Sequence, residues 1–146
     1  AGVDGLLVVD LPPEECASLR DPAIREGLDF IPLVAPTSDE ARLKLAASVA
    51  TSFVYSVSMT GVTGSAGLDL EAAGNRSIAL SKILGKPIAL GFGIRTPEQV
   101  RAIAGKAEGI VVGSAIVETI EAASSPEEAV ERVHALIRAL SEATRT

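Results

Sequence analysis

The sequence predicts an α/β fold of repeated βα units around a buried parallel sheet, and three observations carry that prediction. Short runs rich in Val, Ile, Leu and Phe alternate with longer stretches of helical periodicity along the chain. The short runs are almost continuously apolar, the pattern of strands covered on both faces. Glycines and polar residues gather just after these runs, at the end of a parallel sheet where ligands bind.

Five β-rich runs are read, at residues 5–10, 30–35, 53–57, 87–92 and 109–112. Helical patterns fill the intervals at residues 13–26, 38–50, 70–84 and 97–106. Their start signals are physical. Ser38-Asp39-Glu40 offers a capping side chain with acids in the first turn, and Thr96-Pro97-Glu98 places a cap before a proline whose missing N–H costs a helix start nothing. After the last run, Gly113-Ser114-Ala115-Ile116-Val117 begins a short helix, and Ser125-Pro126-Glu127-Glu128 opens a long one reaching about residue 143. In that long helix Ala129, Val130, Val133, Leu136, Ile137 and Leu140 recur at helical spacing, which predicts one inward face. Two helices after one strand are informative, because barrels of repeated βα units use an extra short helix after the last strand to present its N-terminus to a phosphate.

Composition narrows the function. A length of 146 residues with 47% hydrophobic content suits a single domain or part of one, spanning residues 1–146. A net charge of −6 with dispersed basic residues argues against nucleic acid or an anionic membrane as partner, so any bound anion is held locally. The longest apolar runs, such as residues 31–35, fall far short of the roughly 20 residues a membrane span needs, and no signal-peptide pattern opens the chain. The single cysteine, Cys16, excludes an internal disulfide, and with His134 the only histidine no Cys/His metal cluster can form. Cys16 reads as a small core hydrophobe and His134 as an ordinary helix residue. A reducing cytoplasm fits best. The chain opens without Met and passes within a few residues into an apolar run, as if entered midway.

The candidate site residues lie at the run ends. Asp10 closes the first run, where it either caps the following turn or faces a ligand; we assign it the ligand role. Gly61-Val62-Thr63-Gly64 follows the third run, Gly91-Phe92-Gly93 closes the fourth, and Gly113-Ser114 follows the fifth. Together these glycines and a helix N-terminus make a nest of N–H donors suited to a phosphate dianion without Lys or Arg. The Gly91-Phe92-Gly93 segment is not a dinucleotide fingerprint, since Thr96 stands where its third glycine belongs. Tyr55 fits two roles, a core residue with a paired hydroxyl or a wall of the ligand pocket. The glycines of the Thr63 loop predict mobility there.

The succession DLPPEE, IPLVAPTS, FVYSVSMTGVTG, PIALGFGIRTPEQV and GIVVGSAIV resembles the tryptophan synthase alpha subunit over essentially the whole chain. That resemblance implies a (β/α)8 TIM barrel, of which this chain is the C-terminal five βα units with the extra short helix. It implies a lyase of tryptophan biosynthesis that cleaves indole-3-glycerol phosphate to indole and glyceraldehyde 3-phosphate. It also implies a beta-subunit partner, with pyridoxal phosphate in that partner and no cofactor or metal in this chain. By the same resemblance Gly64, Gly93, Gly113 and Ser114 bind the substrate phosphate, Tyr55, Phe92 and Val111 line the pocket, and Thr63 orders a lid. The family's acid-base glutamate and its indole-binding aspartate fall upstream of residue 1, so the isolated chain is expected to be inactive, Asp10 alone being unable to replace the pair. The alternatives are another phosphate-binding barrel enzyme or a non-catalytic phosphate-binding half-barrel. An isolated five-run sheet leaves two edges unpaired, which invites association.

Overall fold

The computed structural model describes residues 2–57, 69–91 and 93–145. The element order is β1 (Gly5–Leu6), a 3₁₀ turn (Pro13–Glu15), α1 (Ala17–Arg25), β2 (Asp29–Phe30), β3 (Leu33–Val34), α2 (Glu40–Val49), β4 (Val54–Val57), α3 (Leu70–Leu84), β5 (Ile88–Gly91), α4 (Pro97–Ile103), β6 (Gly109–Ile110), α5 (Ser114–Glu121) and α6 (Pro126–Ala143). Every strand pairing among the described residues is parallel, β1 with β2 and then β3, β4, β5 and β6 side by side in chain order. Among the described residues no helix is long and apolar enough to cross a membrane.

Helix starts follow the predicted capping chemistry. The Asp39 carboxylate accepts the Arg42 N–H at 2.8 Å and the Asp69 carboxylate accepts that of Ala72 at 2.9 Å, each satisfying an otherwise orphaned amide of the first turn. Thr96 and Gln99 form a reciprocal capping box at α4, and Ser125 accepts the Glu128 N–H at α6. Gly85 closes α3 at φ +60°, a left-handed cap that a residue with a Cβ resists.

Three strand expectations need correction. The run at 5–10 is a strand only over Gly5–Leu6; the chain turns at once, with the Leu11 N–H donating to the Val8 carbonyl, and Asp10 lies exposed in that turn. An edge strand with one neighbour is held by a single ladder, and Pro12 and Pro13 just beyond lack the N–H groups to extend it. The run at 30–35 divides into β2 and β3 because it serves two neighbours. Asp29 and Ile31 donate to Asp4 and Leu6 on the β1 side, whereas Pro32 accepts from the Tyr55 N–H on the β4 side and has no N–H to return. The last run is a strand over Gly109–Ile110, its pairing extended by the Val111 N–H to the Leu90 carbonyl at 2.8 Å. Among the helices, the predicted 13–26 segment is a 3₁₀ turn followed by α1, and the fourth helix ends at Ile103.

The outward strand residues Val34, Val54 and Ile88 bury against Leu43, Ala46 and Ala50 of the α2 region and Leu80 and Leu84 of α3. Leu90 and Ile94 join Val100 and Ile103 of α4 and Leu140 and Ala143 of α6 in a second cluster. The inward face of α6 is narrower than its periodicity predicts. Leu136 and Leu140 pack against the α4 cluster, but Val130 and Ile137 are 70% and 47% exposed because no described element covers that flank. Cys16 is buried as expected, and burial pushes its thiol pKa up.

Glu108 ties the opposite end of the sheet together. One carboxylate oxygen accepts the Ile88 N–H at the start of β5 and the other accepts the Ser81 hydroxyl of α3, both at 2.8 Å. The bond from Ile88 is the main cause of a Glu108 pKa held below 4.5. A depressed carboxylate contributes stability above its unfolded pKa and loses it as pH falls through the folded value. Glu108→Ala should therefore lower unfolding stability by about 1 kcal/mol at neutral pH, with the difference from wild type shrinking as pH drops below about 4.5. Paired urea titrations at pH 7 and pH 3.5 check this.

Candidate functional site

Parallel pairing sets the site by bringing the C-terminal ends of β4, β5 and β6 to one face. The register aligns Leu33, Tyr55, Ala89 and Gly109 as one row across the sheet, on the face opposite Val34, Val54 and Ile88. Small residues beside Tyr55 give its ring room. The ring leans over β5, and a Cβ built at Gly91 would overlap the Tyr55 hydroxyl and ring edge. Tyr55 is 8% exposed, and burial raises its phenol pKa.

Above this floor the chain forms a small pocket of about 220 Å³ lined by Tyr55, Gly93, Ile94, Val111, Gly113 and Ser114. Gly93 holds φ +83°, a left-handed conformation that favours glycine, which lets the loop after β5 turn inward at this point. Gly113 is the N-cap of α5, and its carbonyl accepts the N–H groups of Ile116 and Val117 at 2.9 and 3.2 Å. The first amides of that helix, at Ser114 and Ala115, have no carbonyl one turn back to bind. A Cβ at Gly113 would meet nothing within 4 Å, so open space lies beside this helix start. No charged side chain lines the pocket among the described residues. Partial positive charge at the helix N-terminus and the bare glycine backbone are features that suit an anion.

Five of the residues singled out in the sequence, Tyr55, Gly93, Val111, Gly113 and Ser114, thus line one pocket. Tyr55 is buried and forms part of the pocket wall. Thr63, Gly64 and Phe92 lie outside the described residues, as does the rest of the Gly61-Val62-Thr63-Gly64 loop. Asp10 does not reach the pocket; it borders a separate depression with Val9, Leu11, Leu33, Ser38 and Arg42. His134 lines a larger cleft of about 780 Å³ between α5 and α6, whose walls include Ile120, Ala123, Val130, Val133 and Ile137. Among the described residues no cluster of His, Cys, Asp and Glu could hold a metal ion.

Sequence reasoning missed Ile94 as a wall residue, although it directly follows Gly93. It also missed the ion pair between Arg95 and Glu118, whose two oxygens meet the two terminal nitrogens of the guanidinium. Glu118 is held below its ordinary pKa and Arg95 above its own by hydrogen bonding to one another.

The sequence pattern of the tryptophan synthase alpha chain matches residues 1–145. The chain belongs to the tryptophan synthase alpha chain family. It is 35% identical to a chain of a tryptophan synthase α2β2 complex from Pyrococcus furiosus, with a TM-score of 0.80, covering 97% of this chain and 56% of that one. With the tryptophan synthase alpha subunit of Legionella pneumophila it shares 28% identity at a TM-score of 0.84, over 99% of this chain and 53% of the other. A chain from Aquifex aeolicus is 34% identical at a TM-score of 0.79, covering 97% of this chain and 51% of its own. The chain therefore spans about half the length of the solved structures it matches, and its fold is a partial (β/α)8 barrel.

The contact between Tyr55 and Gly91 yields a direct check. Gly91→Ala should destabilise the chain by about 1–3 kcal/mol, since the new methyl overlaps a packed ring. Part of that cost should vanish in a Tyr55→Phe background, giving a clear coupling energy in a double-mutant cycle read by thermal unfolding.

Proposed function

We propose that this chain supplies the phosphate-binding part of a tryptophan synthase alpha active site, which cleaves indole-3-glycerol phosphate to indole and glyceraldehyde 3-phosphate. The observation that carries the reading is the convergence of Gly93, Gly113 and Ser114 on one pocket floored by Tyr55 and Val111, in a chain of this family. The phosphate sits against the first amides of α5 and the glycine backbone of Gly93, with Gly64 contributing from the preceding loop. Neutral donors suit this chain, because its net charge of −6 supplies no general attraction for anions and binding must come from directed N–H groups. Tyr55, Phe92 and Val111 then bound the apolar remainder of the substrate, and Thr63 orders the lid over it.

The reaction also needs proton transfer to the indole ring and from the glyceryl hydroxyl. Asp10 is the sequence's one strand-end candidate for this chemistry, and it lies exposed in a turn away from the pocket. No charged side chain among the described residues lines the pocket, and the acid-base pair is assigned to the part of the family's length that this chain does not span. A beta subunit is the proposed partner, supported by the likeness to the Pyrococcus furiosus α2β2 structure, and pyridoxal phosphate is assigned to that partner. The cytoplasm is the proposed compartment.

Inorganic phosphate should bind this chain in solution, and Gly113→Val should weaken that binding tenfold or more by filling the open space beside the helix start. Phosphorus NMR titration measures both affinities, with circular dichroism confirming that the variant keeps its fold. Equal affinity in the two proteins would move the anion site elsewhere.

A further inference from the structure

The two walls of the phosphate pocket come from different elements, and one ion pair spans them directly. Gly93 belongs to the loop after β5, whereas Gly113 and Ser114 start α5. Arg95 lies two residues beyond Gly93 and Glu118 one helical turn beyond Ser114; their side chains meet as a fork, with Nη1 donating to one Glu118 oxygen at 2.8 Å and Nη2 to the other. Arg95 reaches across from a fixed base. Its own N–H donates to the Gln99 side-chain oxygen at 2.7 Å, and the Thr96 N–H donates to the same atom at 3.1 Å, so the α4 capping box anchors the residue that carries the guanidinium. Ile94, between Gly93 and Arg95, is 2% exposed in the second core cluster, which fixes the loop from below.

We infer that Arg95 and Glu118 form a positioning strap that sets the spacing between Gly93 and the N-terminus of α5, and so tunes the pocket for a phosphate monoester. The inference rests on the anion-binding reading of that pocket. The planar guanidinium is suited to the task, because two parallel bonds fix orientation as well as distance. With its charge engaged by Glu118, Arg95 does not line the pocket, and phosphate meets backbone donors whose separation the strap holds.

Charge and geometry predict opposite signs at Glu118. Removing a carboxylate near an anion site strengthens phosphate binding if the field alone matters, whereas loss of the strap weakens it. Inorganic phosphate affinity is therefore measured by phosphorus NMR for the wild-type chain, Glu118→Gln, Arg95→Gln, and the exchanged pair Arg95→Glu with Glu118→Arg. The strap predicts a loss of about two- to fivefold in each single variant, the range an exposed ion pair supports, with substantial recovery in the exchanged pair. Thermal midpoints close to wild type in all variants would separate positioning from simple unfolding, since both side chains are about half exposed. Wild-type binding together with equal or tighter binding by Glu118→Gln would overturn the strap alone. A wild-type chain that binds no phosphate would overturn the anion reading and the strap with it.

Discussion

Parallel pairing is the constraint on which the rest of the structure depends. Because β3, β4, β5 and β6 run in the same direction, the chain must cross back along a helix each time, and every strand end that matters opens on one face. The helices α2, α3, α4 and α6 cover the outward residues Val34, Val54, Ile88 and Leu90, leaving Leu33, Tyr55, Ala89 and Gly109 on the other face. Turns that would be ordinary connections in an antiparallel sheet become neighbours here, so glycines far apart in sequence can share one ligand.

The pocket depends on matching large with small along the sheet. Tyr55 fills the space that Gly91 leaves, and Ala89 and Gly109 continue that low row. Above it, Gly93 turns in a left-handed conformation and α5 begins at once with Gly113, so backbone amides border the space that side chains would otherwise fill. The Arg95–Glu118 contact spans the top of the same arrangement at the surface. Each layer limits the next: the sheet places the tyrosine, the tyrosine requires Gly91, and the loop beyond it carries both a pocket wall and the arginine.

Much of this was legible in the sequence because local chemistry and tertiary demands agree. The 70–84 helix was readable from its periodicity, and α6 from Ser125 and Pro126, since these signals act within one or two turns. Strand lengths were less legible. Nothing local in the run at 5–10 announces that only one neighbour will hold it, and the division of 30–35 emerges only when Pro32 is placed between β1 and β4. The exposed Val130 and Ile137 show the same limit, because periodicity identifies an apolar stripe without saying how much of it a neighbour covers. Site glycines were readable as candidates from their positions after apolar runs. The Arg95–Glu118 pair was not, because a link spanning 23 residues leaves no trace in spacing.

The proposed function divides the family's chemistry: it assigns anion binding to the described pocket, and the acid-base pair to the part of the family's length that this chain does not span. Indole release from indole-3-glycerol phosphate by the 146-residue chain alone, in a sample of verified intact mass, tests that division most directly. The account predicts no indole above the uncatalysed rate. Sustained turnover would contradict it, and would show that the chain's own groups complete the acid-base chemistry.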